Sequence, residues 1–172
     1  MAKASVEFRT RGAEELRALS TRLRDLSNGD LKKELTKGIR AAGKPAVRDV
    51  KRAAKAVEVT SSRGGTKRTT GLRKSVARST GMSVRQTGGI RIEVSKKKMS
   101  RTHGKYGAAL SKYLDSTPRG YARWRHPVFG QEDVWSVQFG KPYFYNTLNH
   151  HEARFRGGVV EAMESIKRQI GG

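Results

Sequence analysis

The chain has 172 residues, 35% hydrophobic and 7% aromatic, with 37 Lys and Arg against 15 Asp and Glu. A formal charge of +22 opposes self-association at low salt and attracts polyanions, so the expected partner is nucleic acid or an acidic protein face. With no Cys, disulfides, thiol nucleophiles and Cys-based zinc sites are excluded, and no apolar run reaches the roughly 18 residues of a membrane span.

This length suits one compact domain over residues 1–172, with a modest core built on helices rich in Ala, Leu and Val. The opening MAKASVEFRTRG lacks the apolar core of a signal peptide. A protein made in a cytoplasm and staying soluble is therefore expected.

Residues 4–9 alternate well enough for a short strand, with Val6 and Phe8 on one face, and Gly12 breaks it. Leu16, Leu19, Leu23 and Leu26 then recur at helical spacing. Ser27, Asn28 and Gly29 close that helix, and Asp30 suits the N-cap of the next. The second helix carries a stripe of Leu31, Leu35, Ile39, Ala42, Ala46, Val50, Ala53 and Val57. Gly43 and Pro45 interrupt it, so the spacing predicts a kink near residue 43 or two helices end to end.

EVTSSRGGTKRTTG, ending at Gly71, offers almost nothing to bury and reads as a mobile basic loop over 58–70. GLRKSVARS suits a short helix. SVRQTGGIRIEVS is the best strand signal, with Val84, Ile90, Ile92 and Val94 around Gly88 and Gly89 predicting a hairpin. Residues 95–105, SKKKMSRTHGK, read as a second basic loop, and AALSKYLD as a short helix. In the last segment Leu148, Phe155, Val159, Met163, Ile166 and Ile170 mark one face of a closing helix. Its Gly157 and Gly158 point to close approach by another backbone, to a bend, or to a plain weak spot. The fold class expected is α+β, with two or three long helices packed on a small, mostly antiparallel sheet.

No catalytic motif is present: neither GxxxxGK[ST], nor GxGxxG after a strand, nor GxSxG occurs. His150 and His151 are adjacent, about 100° apart on a helix, and cannot chelate as an i, i+4 pair would. His151 falls on the apolar face with Leu148 and Phe155, which predicts a buried or half-buried imidazole with one hydrogen bond. His126 has only Glu132 and Asp133 as nearby acids, so a packing role is expected rather than a general base. No catalytic residue, metal site or cofactor is expected, and the chain is read as no enzyme. The basic loops lack aromatics for base stacking, which leaves binding by charge alone.

The aromatics gather elsewhere. Trp124, Pro127, Val128, Phe129, Gly130, Trp135, Phe139, Pro142, Tyr143 and Phe144 alternate large rings with turn formers. Such a segment is expected to lie as a folded strap over helices that offer small side chains.

With WRHPVFG, then Trp135, Gln138, KPYF and a final helix, the sequence resembles the neck proteins of long-tailed bacteriophages. These are the head–tail joining, minor tail or tail-completion proteins, and minor tail protein Z is a related kind. The order of features agrees along nearly the whole chain: strand, helix, long helix with AAGKPAVRDVKRAA, GLRKS segment, hairpin, strap and closing helix.

The resemblance implies a structural virion protein, a subunit of a ring in the phage neck that joins the DNA-filled head to the tail. Its ring would be a homo-oligomer, a hexamer by analogy with tail symmetry. The implied partners are a portal-side adaptor or stopper, the tail terminator and the tail tube, with packaged double-stranded DNA or tape measure as further candidates and no membrane. The implied location is the virion neck or tail, after assembly in the bacterial host cytoplasm. Trp124, Arg125, His126, Pro127, Val128, Phe129, Gly130, Trp135 and Phe144 would stabilise the fold or a subunit contact. Six copies at +22 each gather 132 formal positive charges, so the ring needs an offsetting partner. Arg63, Lys67, Arg68, Lys96, Lys97, Lys98 and Arg101 are expected to face acidic neighbouring rings for the most part, with a lesser share facing DNA. The alternative is a small basic nucleic-acid-binding protein acting by charge.

Overall fold

A computed structural model describes residues 5–8, 13–25, 29–57, 71–85, 89–104, 107–115, 123–128, 131–139 and 141–171. The elements run β1 (Ser5–Phe8), α1 (Ala13–Asp25), α2 (Gly29–Ala56), α3 (Leu72–Ser79), β2 (Thr80–Arg85), β3 (Gly89–Val94), α4 (Lys96–His103), α5 (Gly107–Asp115), β4 (Arg123–Val128), β5 (Gln131–Phe139) and α6 (Tyr143–Gly171). The class is α+β. A three-stranded sheet has the order β1-β3-β2, and β4 pairs with β5 in a second sheet. The chain groups into two compact units.

One unit holds Ser5–Asp49, Gly81–Glu93 and Leu148–Gly172. Here β3 is the central strand, and the period of two seen in the sequence is real: Ile90 and Ile92 are buried between half-exposed neighbours. β1 joins it antiparallel, from Ser5 opposite Glu93 to Phe8 opposite Ile90. In this unit α2 and α6 lie antiparallel. A methyl group added at Gly38 would stand 2.7 Å from Cβ of Ala162, and one at Gly158 would stand 2.7 Å from Cβ of Ala42. Small residues four apart on both helices thus let the two backbones approach closely. Gln169 donates to Glu34 at 3.2 Å farther along the same seam. On another side of α2, Gly43 leaves room for Met82 of β2 and Ile90 of β3, so the helix packs on the sheet. Leu19, Leu23, Leu35, Ile39, Leu148, Phe155, Val159, Met163 and Ile166 complete this core.

The other unit includes Val50–Thr80 and Val94–Thr147. Val50, Ala54, Val57, Val76, Ala77, Met99, Leu114, Tyr143 and Phe144 are its buried apolar residues. Just beyond α2, the Val57 carbonyl accepts from the Arg73 guanidinium at 2.8 Å, which satisfies one of the orphan groups at that helix end. The Ser95 amide donates to the Ser79 carbonyl at 2.9 Å, linking the end of α3 to the start of α4. Gly107 opens α5 where a side chain would strike the Met99 carbonyl.

Several expectations need correction. α2 is one helix of 28 residues with Pro45 inside it, not two helices end to end. A proline at an interior position costs about 3 kcal/mol. Burial of Ile39, Ala46, Val50 and Ala54 on both sides of it offsets that cost. Asp30 lies inside the first turn of α2 rather than capping it, and accepts from Lys33 at 2.9 Å. The second basic loop is largely α4, because Ser95 accepts from the Lys98 amide as a side-chain cap and Met99 supplies a buried anchor. The first basic loop, 58–70, lies outside the described residues.

Candidate interaction surfaces

The aromatic strap resolves into two different structures. Most of it is the β4–β5 hairpin, antiparallel from Arg123 opposite Phe139, through Trp124 opposite Gln138, Arg125 opposite Val137 and His126 opposite Ser136, to Pro127 opposite Trp135. The register then shifts, so that Val128 faces Gln131. Proline cannot donate to a ladder and is tolerated at such an irregularity. Phe129 and Gly130 lie outside the described residues. Trp135 is 52% exposed, so at this position the strap is a surface, not a core filling. No other large apolar side chain described is as exposed.

The end of the strap is helix. Tyr143 and Phe144 open α6 and are buried, with Phe144 edge-on to both Tyr143 and Tyr145 at ring-centre distances of 6.3 and 5.9 Å. Their position is set by the end of α5. Oδ1 of Asp115 accepts from the Phe144 amide at 2.7 Å, and the Leu114 carbonyl accepts from the Lys141 amide at 3.2 Å. Asp115 thus serves α6 as an N-terminal cap supplied by another helix. Burial pushes its carboxyl up to about 6, against the pull of the Phe144 amide. Burial, and next the charge of Asp115, push the Tyr143 phenol upward.

His151 behaves as its sequence position implies. It is half-buried, and Nε2 lies 3.0 Å from Oδ2 of Asp49, tying α6 to α2. Burial acts upward on the Asp49 carboxyl, but hydrogen bonds and charge from Arg48 and His151 outweigh it and hold the group below its ordinary value. His150 is exposed. Among the described residues no group of His, Asp and Glu could hold a metal ion.

The positive charge is unevenly shared. Among the described residues, the unit containing the three-stranded sheet's center has fifteen Lys and Arg against eleven Asp and Glu. It pairs many of them: Lys33 with Asp30, Arg91 with Glu93, Arg156 with Glu152 and Lys167 with Glu164, at 2.8–3.0 Å. The unit containing the β4–β5 hairpin has fourteen Lys and Arg against three acids. One of those three, Asp115, is buried beneath α6; the others, Glu132 and Asp133, are on β5. Lys96, Lys97, Lys98 and Arg101 are exposed on α4, and Lys74 and Arg78 are exposed on α3. The other expected basic contacts, Arg63, Lys67 and Arg68, lie outside the described residues.

Sequence reading missed Asp49, Asp115, Lys74 and Arg78. A half-buried imidazole at 151 calls for an acid at the edge of the α2 stripe, and Asp49 precedes the buried Val50 there. Lys74 and Arg78 flank Val76 and Ala77, the buried pair of a short helix already legible as such. Nothing local marks Asp115 as the cap of a helix 28 residues away.

A family model described as "Bacteriophage HK97-gp10, putative tail-component" matches residues 17–124. No curated protein and no solved structure matches the chain. The matched span runs from within α1 to Trp124 of β4, so it takes in α2 to α5, the β2–β3 hairpin and both basic segments, but only the first two residues of the β4–β5 hairpin and none of α6.

Proposed function

Because the chain belongs to the HK97-gp10-like family of bacteriophage tail components, we propose that it is a ring subunit of the phage neck, joining the DNA-filled head to the tail. The family match over most of the chain is the observation that carries this reading. A tail component of this kind is a structural part of the virion and works against other phage structural proteins. The finer assignment is a homo-oligomeric ring, a hexamer, seated between a portal-side adaptor or stopper and the tail terminator and tube. Assembly takes place in the host cytoplasm. The reading is supported by the exposed Trp135, an aromatic anchor of the type that subunit contacts use. It is supported also by a charge that needs an anionic neighbour. In this reading Trp124, Arg125, His126, Pro127, Val128, Phe129, Gly130, Trp135 and Phe144 serve to stabilise the fold or a subunit contact. The 58–70 segment, with Arg63, Lys67 and Arg68, would serve for the most part toward acidic neighbouring rings, with a lesser share toward DNA.

Deletion of the coding sequence from the phage tests this. Lysates should then contain filled heads and separate tails, and supplying the protein in trans should restore joined particles. Infectious, complete particles that lack the protein would defeat the proposal.

A further inference from the structure

The geometry points to α3 and α4 as a surface that grips the phosphate backbone of double-stranded DNA, through Lys74, Arg78, Lys96, Lys97, Lys98 and Arg101. This goes beyond the neck assignment, since the contact belongs to the single chain whatever ring it enters.

Three observations converge. The six cations are exposed, and among the described residues none of them forms an ion pair. Their unit has fourteen Lys and Arg against three acids among its described residues, so it holds little acid with which to neutralise this charge. Secondly, neither α3 nor α4 has an acid in its first turn, and α4 begins with three Lys. Cations at a helix N-terminus oppose the macrodipole, so the helix is stabilised less than an acidic or neutral first turn would allow. Such placement suits a surface shaped for an anion rather than for its own stability. Thirdly, among the described residues this surface has no apolar anchor. Val76, Ala77 and Met99 are buried, and the exposed residues of α4 are Lys, Arg and Thr.

That third point chooses the partner. A protein interface needs a desolvated apolar or aromatic centre, and Lys is depleted from such centres. Phosphate contacts need only charge and hydrogen-bond donors, and they carry no sequence information. Among the described residues of α3 and α4 no aromatic offers a base a stacking platform, which fits duplex rather than single-stranded nucleic acid.

The test uses the full chain and a fluorescent 30-base-pair duplex of arbitrary sequence, followed by anisotropy across a salt series. Two variants carry the same charge change. In one, Lys96, Lys97, Lys98 and Arg101 are each replaced by Gln; in the other, Lys32, Lys37, Arg40 and Lys44, exposed on α2, are replaced likewise. Wild type should bind the duplex with log K falling linearly in log salt. The α4 variant should lose at least tenfold in affinity at 100 mM salt, and its slope should flatten by roughly 3, while the α2 variant keeps a near-wild-type slope. Replacing the three first-turn lysines relieves the macrodipole and outweighs the loss of Arg101 from the last turn, so the melting temperature of that variant should not fall. A single Lys97→Gln change, with a slope flatter by about 1, gives the same reading at less disturbance. Equal losses in the two quadruple variants, or a wild-type slope in the α4 variant, would overturn the assignment. So would tighter binding of poly-glutamate than of the duplex, which would mark the face as a protein contact.

Discussion

Two aspartates of this chain respond to pH in opposite senses. Asp115 is held near 6 by burial, above its unfolded value of 3.8. The folded state therefore keeps its proton where the unfolded chain has lost it. The stabilisation is fully present below about 4 and is lost as pH rises through about 6, so at neutral pH the buried charge costs on the order of 2 kcal/mol. Asp49 is held below its ordinary value, so its contribution is present above that value and is lost as pH falls through the lower folded one. Asp115→Asn retains an oxygen acceptor for the Phe144 amide and removes the charge. In urea melts this variant should be more stable than wild type at pH 7.5, and its stability should vary less between pH 4 and 6. Asp115→Ala leaves the buried amide unpaired and should fall below the Asn variant by about 1–2 kcal/mol.

At the scale of elements, the adjacent glycines of α6 separate two of the three explanations that the sequence left open, close approach and a plain weak spot. A methyl at Gly158 would meet Cβ of Ala42, whereas a methyl at Gly157 meets nothing within 4 Å. Gly158→Ala should therefore destabilise by about 1–3 kcal/mol through overpacking. Gly157→Ala should stabilise by up to about 1 kcal/mol through helix propensity. Thermal melts of the two single variants check both signs. The contrast also shows what was legible in the sequence. Elements whose apolar residues recur along the sequence could be read: β1, α1, the β2–β3 hairpin, α3, α5 and the closing helix stand where the sequence pattern put them. Features fixed by distant partners could not. Met99 turns a lysine-rich loop into α4 by being buried, Pro45 is carried inside α2 by the residues around it, and Asp115 reaches Phe144 across α5 and α6. The candidate surface was half legible, since the α4 cations were singled out but their α3 companions were not.

At the scale of the molecule, the chain is strongly basic, with a formal charge of +22. The β4–β5 hairpin puts Trp135 toward solvent, and α3 and α4 present cations that no described acid neutralises. An aromatic anchor and an anion-seeking face on one chain suit a part that is built into a larger particle. Repulsion between like chains also implies that closure of a ring depends on anionic neighbours, and so on ionic strength. The most direct measurement is an electron-microscopic reconstruction of the native phage particle in which this chain is located and its copies are counted. The expected result is a closed ring of six copies between head and tail, with Trp135 at the contact between adjacent copies. A particle whose neck lacks the chain, or that holds it only as an isolated single copy, would contradict the ring-subunit reading.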